Sequence, residues 1–315
     1  MASAPVAVYA DVVDLDPAPG VRLLEESGFE VRVLDSADPD AIVSGAHDAA
    51  ALLIGYAPVT ASMLDRLGSL QIVATQSVGI DSVDLDACRR LGIAVSNVPG
   101  AATEEVASHA LAMSLALVRG LPFLDRAVAD GVWDGTREQL LRLSEITVGV
   151  IGLGRIGARY ARMIGPLVGR VVGYEPYGTA PDGVEQVELD ELLDVSDLVS
   201  LHLPSTPDTQ GLLDAGRLSR LRRGAMLVNA SRGDLIDTAA LLRALDDGVL
   251  SGAALDVLPH EPPARDDPLV RHPRTLVTPH AAYLSPASAR DYVLHQAQSV
   301  LAHFAGTGTN LADPG

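Results

Sequence analysis

The sequence predicts an α/β protein made of two doubly wound parallel-sheet domains. Three observations carry this. Short runs rich in Val, Ile and Leu alternate with helix-like segments through the first hundred residues. The same alternation restarts at Thr147 and continues to about residue 278. A break at Pro99-Gly100 and a long apolar helical stretch separate the two series. Strands that alternate with helices in this way need crossover connections, and hence parallel sheets covered on both faces.

In the first series the strand-like runs are 6–10, 30–34, 51–55, 72–75 and 93–96, with helix-like segments at 20–27, 37–44, 61–67 and 85–91. Pro58-Val59-Thr60 and Asp81-Ser82 supply turn or helix-start chemistry. After Pro99-Gly100, Thr103 is read as the N-cap of a helix reaching about Val118, with Glu104 and Glu105 in its first turn, where the helix dipole favours anions. This helix is taken as the link into the second domain. A shorter, more polar stretch, 122–144, follows. The second series has strand runs at 148–151, 171–174, 198–203, 225–230, 253–257 and 275–278, and helices at 155–164, 189–193, 214–221 and 238–245. A final helix runs from Pro286 to about Phe304. Five or six strands with crossover helices is the size of a complete nucleotide-binding domain.

The totals narrow the function. The chain has 315 residues, 48% of them hydrophobic, enough for two cores. A net charge of −18 without a Lys/Arg cluster argues against nucleic acid or an anionic membrane as partner. Cys88 is the only cysteine, so no internal disulfide exists, and a reducing compartment is expected. The first residues have no basic segment typical of a signal peptide. The longest apolar run, 106–118, is interrupted by Ser108, His109 and Ser114 and falls short of a membrane span. A cytoplasmic protein is the expectation.

The stretch ITVGVIGLGRIGARYARMIG carries the most information. An apolar strand run ends at Ile151; Gly152, Gly154 and Gly157 follow in G-x-G-x-x-G spacing; Ile156, Tyr160, Met163 and Ile164 then repeat with helical period. In a dinucleotide site the first glycine makes the tight turn, the second admits the pyrophosphate, and the third lets helix pack on strand. The helix start attracts phosphate through its free N–H groups and its dipole. The next strand run ends at Glu175, 23 positions after Gly152, near the spacing of a ribose-binding acid.

Further along, four strand runs end in chemically distinctive loops: LHLP with His202, VNASRGDLID with Arg232, ALDVLPHEPP with Asp256 and Glu261, and VTPHAAYLSP with His280. In a parallel sheet these ends face the ligand crevice. Arg232, Glu261 and His280 suit one task, the reduction of a 2-keto acid by hydride transfer. A protonated imidazole can supply the proton. A guanidinium fork can hold the carboxylate and carbonyl. A carboxylate bonded to the other ring nitrogen orients the imidazole and favours its charged form.

The ordered motifs GIDSVD, NVPGAATEEVA, GLGRIG, HLPSTPDT, VNASRG, ALDVLPHEP and TPHAA resemble those of the D-isomer-specific 2-hydroxyacid dehydrogenase family, most strongly over residues 72–288. The resemblance implies a Rossmann cofactor domain, a flavodoxin-like substrate domain and a cleft between them. Residues 1–100 and 284–315 would form the substrate domain and 101–283 the NAD-binding domain. It implies Arg232, Glu261 and His280 as catalytic residues. It assigns Arg155 and Ile156 to the pyrophosphate and Glu175 to the adenosine ribose. Thr103, Thr206, Ala230 and Ser231 are further cofactor residues, and Asp256 would meet the carboxamide. The loop holding the substrate carboxylate by backbone N–H groups matches Ser77, Val78 and Gly79. NAD is the implied cofactor, and a homodimer built on the cofactor domain the implied assembly.

Two departures stand out. Ser108 occupies a position where the family commonly has an acid. Glu175 replaces the commoner Asp; both can accept two ribose hydroxyls, and neither welcomes a 2′-phosphate, so NAD is favoured over NADP. Other residues read more simply. His202 is either a packed histidine or a cofactor-side group. Cys88 is a small core residue, His260 is exposed, and Tyr283 and Leu284 either line the pocket or pack. His47, His109, His272, His295 and His303 have no metal-ligand spacing, so no metal is expected. Phosphoglycerate dehydrogenases of the family often carry a C-terminal regulatory domain, though short forms exist; 315 residues are expected to be too few for one. The rival function is an NADH-sensing scaffold like the C-terminal binding protein corepressors, whose corresponding segment TPHAAYLSPAS resembles. Against it stand the three retained catalytic groups and the lack of long disordered tails.

Overall fold

The computed structural model describes residues 4–12 and 14–308. Its first elements are β1 (Val6–Tyr9), α1 (Ala18–Glu26), β2 (Glu30–Val33), α2 (Pro39–Gly45), β3 (Ala51–Ile54), α3 (Ala61–Leu64), β4 (Ile72–Thr75), α4 (Leu85–Leu91) and β5 (Ala94–Ser96). The five strands pair in parallel in the order β2-β1-β3-β4-β5, the flavodoxin-like order. β1, β3 and β4 are buried along their whole length, which is why their sequences VAVY, ALLI and IVAT do not alternate. Val8 lies opposite Arg32 of β2 and Leu52 of β3. Asp38 and Asp84 cap α2 and α4 by accepting from Ala41 and Ala87 N–H.

The second series begins with α5 (Thr103–Val118) and α6 (Leu121–Ala129). It continues through β6 (Thr147–Ile151), α7 (Arg155–Ile164), β7 (Arg170–Tyr174), β8 (Glu185–Gln186), α8 (Leu189–Val195) and β9 (Leu198–Leu201). α9 (Ala215–Arg220), β10 (Ala225–Asn229), α10 (Thr238–Asp246), β11 (Leu250–Leu255), α11 (Pro268–Arg271) and β12 (Thr275–Val277) complete it. Seven parallel strands run β12-β11-β10-β9-β6-β7-β8. The chain reverses its direction of travel between β9 and β6, which is the topological switch point of a Rossmann sheet. The chain then adds α12 (Pro286–Phe304), begun by Pro286 behind the Ser285–Ser288 capping box. α12 packs on β4 and α1. The buried Gln296 side chain donates to the carbonyls of Ile54 and Ala74, fixing it to the ends of β3 and β4.

The chain divides into two units, Met1–Ala101 with Leu284–Gly315, and Ala102–Tyr283. Among the described residues no single helix is long and apolar enough to cross a membrane.

Several elements differ from the sequence expectation. The polar stretch 122–144, to which no helix was assigned, holds most of α6, which starts at Leu121; Pro122 sits in the helix's first turn, where its missing N–H costs nothing. α5 starts as expected, but its N-cap is Ala102, with no side-chain cap, and Thr103 is the first helical residue. β11 starts at Leu250, earlier than expected, and runs through Gly252. A Cβ at Gly252 would come within 2.9 Å of the Phe123 ring, so this glycine belongs to a packed strand and not to a turn. β8 is two exposed residues, too short to leave a periodic trace.

Candidate active site

β6 delivers the glycine loop. Gly152 has φ +89°, and a Cβ there would lie 2.6 Å from the His202 carbonyl oxygen. A Cβ on Gly157 would collide with the Gly152 carbonyl, so α7 reaches the strand only because Gly157 has none. Gly154 is different: the space its Cβ would fill is open, and α7 begins there without a side-chain cap. The first-turn N–H groups of α7 therefore have no side chain competing for them, as a bound pyrophosphate requires. Arg155 is exposed at the helix start, and Ile156 packs against the core behind it.

Glu175 ends β7 and is held from two sides. One carboxylate oxygen accepts from Leu153 N–H at 2.9 Å and the other from Tyr177 N–H at 3.1 Å. Each oxygen keeps a lone-pair position, which suits two ribose hydroxyls. A depression of about 530 Å³ beside it is lined by Glu175, Gln186, Glu188 and Glu191 among others, a poor surface for an added phosphate. Thr206, after β9, is folded into its own turn: its N–H and hydroxyl meet Thr209 Oγ1 at 2.8 and 3.1 Å. The residues present fit a dinucleotide with an unphosphorylated ribose.

Three adjacent strands carry the remaining chemistry. Arg232 follows β10, Glu261 follows β11 and His280 follows β12, so their order in space repeats their order in the chain. His280 Nδ1 lies 2.6 Å from Glu261 Oε2. Glu261 Oε1 accepts from Leu258 N–H at 2.7 Å. Burial alone would raise the Glu261 pKa, but the bonds from His280 and Leu258 and the charges of His280 and Arg232 outweigh it and hold the carboxyl below its ordinary range. His280 has φ +49°, a left-handed conformation that a non-glycine residue keeps only when its surroundings enforce it. Its N–H donates to the carbonyls of Asp256 and Thr278, and Tyr283 stands edge-on to its ring. Arg232 Nη1 donates to the Ser231 carbonyl at 2.8 Å. Gly233 lets the Arg232 loop meet the Glu261 loop, since a Cβ there would fall on the Leu258 and Pro259 backbone.

The structure gives some expected cofactor residues a first duty inside the protein. Asp256 is 1% exposed. Its Oδ1 accepts from Thr278 Oγ1 at 2.5 Å and Ala281 N–H at 3.0 Å, and its Oδ2 from Ala282 N–H at 2.9 Å. At that exposure the partners of the carboxylate are these protein donors. The Ser231 hydroxyl donates to the Leu201 carbonyl at 2.8 Å, and Ala230 packs on the core. Ser77, Val78 and Gly79 follow β4 in the first unit. The Ser77 and Val78 carbonyls accept from Val98 N–H and Asn97 Nδ2, while the N–H groups of Val78 and Gly79 meet no acceptor among the described residues. A loop of that kind can present donors to an anion.

His202 lies under the glycine loop, 4.9 Å from the Tyr160 ring, with Nε2 2.9 Å from Ser200 Oγ. Desolvation pushes its pKa down to about 3, so the ring is neutral and its part is packing. Two positions escaped the sequence reading. Buried Asn229 clamps the Arg232 loop, donating to the Arg232 carbonyl at 2.7 Å and accepting from Ser231 N–H at 3.0 Å. A polar residue closing the apolar run AMLVN was the available signal. His109, on α5, reaches Thr278 and Asp256; helical periodicity left no signal for it.

Residues 111–282 match the sequence model of the D-isomer specific 2-hydroxyacid dehydrogenase NAD-binding domain. The chain belongs to the D-isomer-specific 2-hydroxyacid dehydrogenase family. A D-3-phosphoglycerate dehydrogenase of Mycobacterium bovis is 38% identical over 294 residues, 92% of this chain and 54% of that protein. The chain thus spans about half the length of the curated dehydrogenases it matches. A Thermus thermophilus crystal structure superposes with a TM-score of 0.88 at 34% identity, covering 98% of this chain and 100% of the other. The D-lactate dehydrogenase of Aquifex aeolicus, solved with NAD and lactic acid, gives 0.83 at 29% identity and 96% coverage of both chains. The second unit is accordingly an NAD-binding domain of this dehydrogenase family, which agrees with the open cradle at Gly154.

Proposed function

We propose that the chain is an NAD(H)-dependent oxidoreductase that interconverts a small 2-keto acid and a D-2-hydroxy acid. The observation that carries this reading is the 2.6 Å contact between His280 Nδ1 and Glu261, with Arg232 acting on the same carboxylate, in an NAD-binding domain. Bound NADH supplies the hydride to the carbonyl carbon. Glu261 accepts the Nδ1 proton of His280 in a hydrogen bond, which leaves Nε2 to deliver a proton to the carbonyl oxygen as negative charge develops there. In the oxidative direction the same nitrogen takes the proton back. The Arg232 guanidinium binds the substrate carboxylate and carbonyl, and its planar fork fixes which face of the carbonyl is presented. In the first unit, the Ser77–Val78–Gly79 backbone is the proposed source of N–H donors for an anionic substrate group. Glu175 selects NAD over NADP, because both its oxygens point lone pairs where a 2′-phosphate would meet charge repulsion.

The same reading includes a homodimer. Leu121, Val128, Trp133 and Leu140 are 58%, 50%, 90% and 37% exposed within one short stretch of the second unit, an apolar exposure that fits burial against another copy. Light scattering tests it, and a monomer at micromolar concentration removes it.

The decisive experiment is a panel of glyoxylate, pyruvate, hydroxypyruvate and 3-phosphohydroxypyruvate assayed with NADH and NADPH. Steady NADH oxidation with a member of the panel is expected, and His280→Ala should lower turnover by about 10²–10⁴ with NADH binding intact. Tight NADH binding with no turnover on any substrate would replace the enzyme by a sensing scaffold.

A further inference from the structure

We propose that His109 is a positioning residue for the proton donor His280, acting through Thr278 and Asp256. The proposal rests on the reading of His280 as the acid/base. The chain of contacts starts on α5. His109 Nε2 lies 3.1 Å from Thr278 Oγ1 and 3.5 Å from Asp256 Oδ1. Thr278 Oγ1 spends its single hydrogen on Asp256 Oδ1 at 2.5 Å. It can therefore only accept from His109, and the His109 tautomer is the one protonated at Nε2. Asp256 in turn grips the loop on the far side of His280, through Ala281 and Ala282 N–H. The carbonyls of Asp256 and Thr278 hold the His280 N–H itself. His280 is thus clamped by backbone contacts before and after it.

That clamp explains the left-handed backbone of His280, φ +49°. Such a conformation costs about 1–3 kcal/mol for a non-glycine residue and persists only while neighbours enforce it. Among the described residues, the donor to this network from outside the strand-end loops is His109. The Asp256 carboxylate is 1% exposed, so it depends on protein donors alone. Without His109, Thr278 Oγ1 has an unmet acceptor position, and Asp256 loses its nearest ring N–H. The hydroxyl is then free to turn away, Asp256 loses its hold on the loop, and His280 relaxes from the geometry that aims its ring at Glu261.

The test compares His109→Leu, which keeps bulk and loses the donor, with His109→Gln, whose amide N–H can stand where Nε2 stood. His109→Leu should lower kcat about tenfold while KM for the keto acid and the Kd for NADH, measured by fluorescence, stay within about twofold. His109→Gln should restore kcat to within about threefold of the parent. Thr278→Val cuts the same relay at its middle and covers the case in which His109→Leu fails to fold. The double variant should be no slower than the slower single one, since both break one path. Unchanged kcat in His109→Leu, a glutamine variant as slow as the leucine one, or an NADH Kd that rises in step with the loss of kcat would each overturn the proposal. Full turnover in His280→Ala would instead overturn the reading it rests on.

Discussion

Gly233 is the residue through which a substitution of one methyl group should disable the site. It lies next to Arg232, and its Cα faces the backbone of Leu258 and Pro259 in the loop that carries Glu261. A Cβ at this position would stand closer than the 3.0 Å that real Cβ atoms keep, and the obstructing atoms are all main chain, so no rotamer change relieves them. The nearest of them, the Leu258 carbonyl carbon, would lie at 2.1 Å, and ordinary carbon contact needs about 3.5–4.0 Å, so one loop must withdraw by more than about 1 Å. Overpacking of this kind costs about 1–3 kcal/mol of stability. The effect on chemistry should be larger, because a misplacement of about 1 Å can cost about 10²-fold in rate. Gly233→Ala should therefore lower kcat/KM by about 10²-fold, with NADH affinity nearly unchanged because the glycine loop after β6 is untouched. Stopped-flow NADH oxidation gives the first quantity and fluorescence titration the second. A variant with parental kcat/KM and a parental melting curve would show that the two loops need not meet as described, and the account of the site would fail with it.

Gly154→Ala should do the reverse. Its Cβ meets no protein atom, so stability should hold, while the Kd for NADH rises because the methyl group occupies the pyrophosphate approach; an unchanged Kd refutes this. Arg232→Lys should lose most of kcat/KM, since a point charge does not replace a planar fork, and near-parental kinetics would exclude bidentate substrate binding. His202→Gln tests the neutral buried ring. The folded state takes up the His202 proton only near pH 3, whereas the unfolded chain takes it up near 6.5, so acidification favours the unfolded state across that window. Between pH 7.5 and pH 5 the parent should lose about 2 kcal/mol more than His202→Gln in urea unfolding, and equal losses would disprove the assignment.

Sequence alone made the sheets legible because their central strands are buried on both faces. Runs such as IVAT and AMLVN announce themselves without any periodicity. The glycine spacing was legible because Gly152 and Gly157 answer steric demands that no other residue meets, as their collisions show. Arg232, Glu261 and His280 could be picked out as chemical types at strand ends, and the structure brings the three together. What stayed hidden depends on tertiary partners. α6 was not assigned in the polar stretch 122–144, where the place of Pro122 in a first turn is decided by where the helix begins. The start of β11 at Leu250 was missed because Phe123, which fills the space of the absent Gly252 side chain, is far away in the chain. His109 could not be told from an ordinary helical histidine, because its partners Thr278 and Asp256 are remote in sequence.

The site also shows how loops can hold reacting groups rigidly. Each of two buried polar residues at strand ends, Asn229 closing β10 and Asp256 after β11, turns its side chain into the following backbone. They are 0% and 1% exposed, and Asp256 N–H donates to the Asn229 carbonyl, so the two clamps are joined. Burying an amide and a carboxylate is costly unless their hydrogen bonds are made, and here the partners are the loops that carry Arg232 and His280. The loops therefore cannot move without exposing the strand-end polar groups to an unpaired state worth about 1–3 kcal/mol each. That coupling gives residues outside regular structure the fixity of residues within it, and proton transfer from a positioned imidazole depends on such fixity. It also means that truncating Asn229 should resemble truncating Arg232 in kinetics: Asn229→Ala should lower kcat/KM by about tenfold or more with NADH affinity held, and unimpaired turnover would show that the guanidinium is aimed by something other than this clamp.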